Sequence, residues 1–399
     1  MSALGDRLRA VEVPDEDGAR ERASRVAHAA FETRLPVRPP RSRIRSVLAP
    51  GLVAALVVVA FTEPGQAVID SVRDTIGRVE VRTATPRALD KLPTAGSLLV
   101  QSPEGPWVVR SDGSERLLGP YREATWSPMG RFVGVTRENG LLAVEPGGRV
   151  HWSLARPRVT RPRWSPSGFR VAYLSGGTVR VVAGDGTGDR EIGPGVAAEW
   201  RPGSSGSVSA VNGQKVLTGA NVLAVAAPGG RVETLDVDSR RTLWVSKLVA
   251  RGVRAMSWSP SSGHLLVATA RALVVLDGAG AVFRKVTPPP GTFLTDAEFA
   301  PTGDQIAMIR RRGSVSELVL RENDRERLLF AGAGKLGGVT WSPDGRWLLV
   351  AWPSADQFLF VRTTGEPRVE AAEGVAGEFD PRATATPGEA RPAGWCCSK

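Results

Sequence analysis

Cysteine is almost missing from this 399-residue chain: only Cys396 and Cys397 occur, side by side near its C-terminal end. Their spacing resembles no metal site, which excludes a structural zinc, and neighbouring residues pack poorly into a disulfide. An intermolecular bridge stays open should these thiols face an oxidising compartment. Histidine is nearly as scarce. His28, His151 and His264 lie in unrelated contexts, and His264, just after a turn, reads as a strand or surface residue. No HExxH, GxSxG, P-loop or dinucleotide fingerprint occurs, so no catalytic, cofactor-binding or metal-ligating residue is assigned and no cofactor is expected. The Gly-rich piece GDGTGD at 184–189 lacks a following helix and a full oxygen ligand set, and reads as a hairpin turn.

Lysine is also rare. Only six of the 52 basic residues are Lys, and Arg is spread along the whole chain. The net charge of +11 therefore reflects composition more than a patch, which argues against nucleic-acid binding and points to a GC-rich bacterial source. Long apolar runs are absent save one: Val47 to Thr62 carries no charge over sixteen residues. That is slightly short of the ~20 residues a membrane helix needs. Arg38, Arg41, Arg43 and Arg45 crowd its N-terminal side, can snorkel, and by the positive-inside bias hold that side in the cytoplasm.

These features divide the chain. Residues 1–45 form a basic cytoplasmic tail, in which Ala19, Ala23, Val26, Ala27, Ala30 and Phe31 give one apolar helical face before Pro36. Residues 46–62 form a transmembrane helix and so a membrane contact. An export signal, cleaved or retained, and a buried core helix weakened by Pro50 and Gly51 are the rivals. Residues 63–95 supply a juxtamembrane helix (Val68, Ile69, Val72 and Ile76 on one face, Gly77 at its end) and a linker. Residues 382–399 are a flexible tail.

From residue 96 to 381 short Val-, Leu- and Trp-rich runs alternate with Gly, Pro, Asp and Ser turns. One signature recurs: Trp126-Ser-Pro128-Met-Gly130, Trp164-Ser-Pro166-Ser-Gly168, Trp200-Arg-Pro-Gly, Trp258-Ser-Pro260-Ser-Ser-Gly, Phe299-Ala-Pro-Thr-Gly and Trp341-Ser-Pro343-Asp-Gly345, with a fainter copy at Phe379-Asp-Pro381. Apart from one longer gap, between Trp200 and Trp258, the spacing stays close to the ~40–45 residues of one four-stranded propeller blade. Each aromatic residue ends an innermost strand, and the Pro and Gly behind it shape the turn to the next. A blade cannot bury both of its faces alone, so the recurrent Trp is read as packing between blades. The long gap after Trp200 implies an insertion around Ser204 to Leu217. The expected fold is an all-β propeller. Seven blades are favoured over six, with GSLLVQS, PWVVRS and RLLG completed by a strand near VAGEFDP (375–381).

The intact WSPDG at Trp341–Gly345 and its recurrences resemble the repeats of TolB-like periplasmic propellers, across residues 96–381. That resemblance implies the propeller fold. The repeat array without a catalytic signature, set behind the 46–62 span, leads to the expectation of a non-enzymatic binding scaffold held at the cell membrane with its propeller outside the cytoplasm, meeting a protein, ligand or envelope partner on one face. Two alternatives stand beside it. A transmembrane regulator would have the layout of an anti-sigma factor but lack its zinc motif, and a propeller enzyme would hide its site in the central funnel.

Overall fold

The computed structural model describes residues 80–83 and 89–397 except 204–206, 212–213, 219–220, 249, 367 and 381–389. The cytoplasmic tail expected at 1–45, the transmembrane helix expected at 46–62 and the juxtamembrane helix expected after it lie outside the described residues. Among the described residues no helix is long and apolar enough to cross a membrane.

Seven four-stranded antiparallel units make up the fold. Their first strands, one per blade, are Arg391–Cys396 (blade 1), Ala124–Trp126 (blade 2), Val159–Trp164 (blade 3), Ala197–Trp200 (blade 4), Val253–Trp258 (blade 5), Thr292–Phe299 (blade 6) and Gly337–Trp341 (blade 7). Each of these strands approaches its counterpart in the next blade, and the seventh returns to the first. That cycle makes them the inner wall of a closed seven-bladed β-propeller. Closure leaves no inner edge exposed, which is how such folds avoid edge-to-edge association.

The apolar core divides the same way. Among the described residues there are seven buried clusters, each drawing from two successive blades; six hold one aromatic residue of an inner strand, and partly buried Trp126 packs against the seventh. Trp200, for example, packs with Ala172, Leu174, Val179 and Val181 of blade 3 and with Leu223 and Val225 of its own blade. Phe299 does the same between blades 5 and 6, and Trp341 between blades 6 and 7. Full burial of such a ring is worth about 2–3 kcal/mol, so the recurring aromatic cements the ring blade by blade.

The turns explain the rest of the signature. Ser127, Ser165, Ser259 and Ser342 are buried, and the Oγ of each accepts the backbone N–H five residues on, at 2.9, 3.0, 3.1 and 2.9 Å. That bond closes the turn through Pro128, Pro166, Pro260 and Pro343 and starts the second strand. Gly130, Gly168 and Gly345 sit at φ +64°, +78° and +69°, where a side chain is disfavoured. In blade 5 the left-handed position falls on Ser262 (φ 63°) and not on the glycine after it.

Three expectations need correction. The strand that closes blade 1 is Arg391–Cys396, paired with Ser97–Ser102 through Ser97↔Cys396 and Leu98↔Trp395. Residues 375–379 instead form a short helix, Val375–Phe379, started by a bond from the Ala376 N–H to Asp356 Oδ1 (2.7 Å). Its Phe379 lies against Trp107 and Phe358 in the cluster between blades 7 and 1. The propeller therefore runs past 381, and the tail assigned to 382–399 contains an inner strand. Trp395 lacks the Ser-Pro-x-Gly turn of the other inner strands because its second strand comes from Ser97–Ser102, at the other end of the domain.

At the N-terminal side, Glu80–Thr83 pairs in parallel with Arg368–Glu373 as a fifth strand on blade 7, and Leu89 and Leu92 are buried in the core. Part of the expected linker thus belongs to the globule. The third correction concerns the cysteines, which are bonded to each other. Successive side chains of a straight strand point to opposite faces. A positive φ of 64° at Cys397 breaks that alternation and brings both sulfurs to one side. The insertion after Trp200 is a hairpin, Ser207–Val211 with Gln214–Thr218, placed between the first and second strands of blade 4.

Candidate functional site

The residue just before each inner-strand aromatic occupies equivalent positions around the ring: Thr125, Arg163, Glu199, Ser257, Glu298, Thr340 and Gly394. Further along the same strands stand Asp296 and, in blade 1, Arg391. Charges in blades that do not touch one another interact here. Glu298 of blade 6 feels Glu199 of blade 4 and Arg163 of blade 3, and Asp296 of blade 6 feels Arg163 and Arg391. Such reach across the ring requires that these groups share the axial space.

Recurrent tryptophans fix the backbone of this site. The Trp200 Nε1–H donates to the Arg163 carbonyl at 2.9 Å, that of Trp258 to the Glu199 carbonyl at 3.4 Å, and that of Trp341 to the Glu298 carbonyl at 3.4 Å. Phe299 has no such donor; there the backbone N–H of Phe299 donates to Ser257 Oγ at 3.1 Å. These four junctions, from blades 3 and 4 to blades 6 and 7, each tie one axial residue to the next blade's core. The Trp126 and Trp395 Nε1–H groups are buried with no acceptor among the described residues, and the Trp164 Nε1–H turns to its own loop at Gly168 (3.0 Å).

Side-chain electrostatics are unbalanced. Arg163 Nε pairs with Glu199 Oε2 at 3.1 Å. Asp296 accepts the N–H groups of Ala297 (2.9 Å) and, from the next blade, Val339 (3.1 Å). Enclosure by the channel walls still pushes the Asp296 and Glu199 carboxyls above their ordinary range, despite those bonds and Arg163. Glu298 is pushed up to about 8, by enclosure first and then by the neighbouring charges of Asp296 and Glu199, with Arg163 opposing. Three carboxyl groups face one close guanidinium, so near neutral pH this site holds protons as well as charge.

The aromatic, proline and glycine positions singled out in the sequence lie in blade junctions and turns, as described above. None of the axial charged residues was singled out. Their signal was available in the motif register: Thr, Arg, Glu, Ser, Glu and Thr precede the aromatics, and only three of them are charged. His151 stacks on Phe132 (4.7 Å) and His264 packs at Phe283 (4.5 Å), so the two are in different blades and serve packing. The 184–189 piece is a hairpin turn. Asp185 Oδ1 accepts the Thr187 N–H (3.0 Å) and hydroxyl (2.7 Å), and Asp189 is buried against Arg156, Arg180 and Tyr173.

The chain is thus a seven-bladed β-propeller with a charged axial site. No family model matches it, and no curated protein matches it. Among solved structures it is similar to the hydrazine synthase of Kuenenia stuttgartiensis, with 15% identity and a TM-score of 0.49, covering 66% of this chain and 79% of that one. It is also similar to the β-propeller domain of Myceliophteria thermophila Cps50 (Swd1), with 14% identity and a TM-score of 0.49, covering 64% and 86%.

Proposed function

We propose that this protein is a non-enzymatic binding scaffold: a propeller anchored through residues 46–62, facing outward from the membrane, that receives a protein or envelope ligand at its axial face. The observation that carries the binding role is the axial ring, in which charged side chains stand on backbone fixed by indole-to-carbonyl bonds. A rigid display of mixed charge suits recognition, because little ordering is left to oppose association. Membrane anchoring draws its support from the sequence, in the uncharged run 47–62 flanked by four arginines. The TolB-like form of the Trp-Ser-Pro-Asp-Gly motif supports an envelope setting.

Reporter fusions at residue 40 and after residue 100 test the topology. Cytoplasmic activity at the first and extracytoplasmic activity at the second is the expected pattern; the same compartment for both would end the anchored reading. In-cell crosslinking from position 125, beside Arg163 around the ring, tests the binding role. A discrete adduct that weakens with Glu298→Ala or Arg163→Ala is expected. Adducts indifferent to both substitutions would remove the axial site from recognition.

A further inference from the structure

The two cysteines carry an inference independent of the membrane reading. They end the strand that closes the ring, and their sulfurs lie over the first turn of blade 2. Cys396 Sγ is 3.7 Å from the Ser127 carbonyl oxygen and 3.8 Å from that of Pro128, while Cys397 Sγ is 3.6 Å from the Pro128 oxygen. A side chain on Gly130 would meet Cys397 Sγ at 2.9 Å, so the turn glycine makes room for the pair. Cys396 is buried at 9% exposure and Cys397 is partly exposed.

A bond between adjacent residues closes a loop with nothing between its ends. Cross-links stabilise mainly by restricting the unfolded chain, more so for longer loops, and here that restriction is minimal. This bond is therefore no staple for the ring. Joined, the sulfurs rest against the turn, and the Ser127 and Pro128 carbonyl oxygens beside them are acceptors that S–H groups can take up once the bond opens and the sulfurs move apart. The seam is also the part of the ring where the indoles of Trp126 and Trp395 reach no carbonyl, so local adjustment there breaks no inter-blade bond of that kind.

We propose that Cys396 and Cys397 form a reversible dithiol–disulfide site at the propeller seam, exchanging with low-molecular-weight thiols and disulfides. In reduction, an incoming thiolate attacks the accessible Cys397 sulfur, the bond between the cysteines breaks, and Cys396 leaves as a thiolate. A second small thiolate attacks the mixed disulfide and releases Cys397, so that two small thiols become one disulfide and two protons are taken up by the protein sulfurs. Oxidation by a small disulfide runs through the same steps in reverse.

The test counts N-ethylmaleimide adducts by intact mass on the folded full-length protein. Expected are no adducts as isolated in air, two after dithiothreitol, and none again after oxidised glutathione, each change reversible without denaturant. A Cys396→Ser variant should instead hold one glutathione on the accessible Cys397 after the same oxidation. Hydrogen exchange at 394–397 and 127–130 should quicken on reduction while the thermal midpoint stays put. Two adducts persisting in oxidised glutathione, covalent dimers in place of the internal bond, or labelling only after unfolding would each overturn the proposal. A large fall of the thermal midpoint on reduction would replace it with a structural cross-link.

Discussion

Glu298→Gln offers the sharpest check on the axial site. The Glu298 carboxyl rises from 4.5 to about 8 in the folded protein, while in the unfolded chain it titrates near its ordinary value. Between those values the unfolded chain has released the proton and the folded ring has kept it. Stability is therefore fully present below pH 4.5, falls as pH rises through the window, and levels off above 8. At about 1.4 kcal/mol per pH unit, the cap on this cost is about 5 kcal/mol. Water in the channel and relaxation around the new charge reduce it to about 2 kcal/mol. Glutamine reproduces the protonated form in size and neutrality and cannot ionise. The variant should match the wild type at pH 5 and exceed it by about 2 kcal/mol at pH 9, measured by urea unfolding followed through tryptophan fluorescence. A difference of the same size at both pH values, or a variant weaker at pH 9, would refute the premise that enclosure, and after it the charges of Asp296 and Glu199, raises the proton affinity of this carboxyl.

Other substitutions separate the remaining parts of the account. Trp200→Phe keeps most of the ring burial but loses the bond to the Arg163 carbonyl; a loss of about 1 kcal/mol is expected in urea unfolding, against about 3–5 kcal/mol for Trp200→Ala. Ser342→Ala removes the acceptor for the Trp347 N–H and should cost about 1 kcal/mol with the fold retained, since Ala300 holds the equivalent place in blade 6. Asp189 is held below its ordinary range by Arg180, Tyr173 and Arg156 in spite of its burial. Its contribution is present above pH 3.8 and is lost as pH falls through the folded value. Asp189→Asn should cost about 3 kcal/mol at pH 7, and the gap to the wild type should narrow in acid unfolding below pH 3.8.

The repeat was legible because its physics is local and periodic. A Trp every ~40 residues, a Ser-Pro-x-Gly turn behind it and alternating strands after it all act within a few residues of one another. Even the inserted hairpin showed, as the one overlong gap between Trp200 and Trp258. The closing strand escaped notice because the turn that marks the other inner strands has no counterpart after Trp395. The axial carboxyls escaped for a different reason. Glu199 and Glu298 are ordinary residues in ordinary strands, and only the circle gives blades 4 and 6 a common axial space.

By itself, then, the sequence determined the unit: which residues form each blade, which aromatic seals it, and that such units must stack to hide both faces. Tertiary structure decided how the stack ends and what it encloses. Closure needs the strand Arg391–Cys396 from one end of the domain to pair with Ser97–Ser102 from the other, a contact that no local pattern encodes. The channel follows from that closure, since charges on separate blades acquire a common space, and with it their shifted proton affinities, only once the ring is complete.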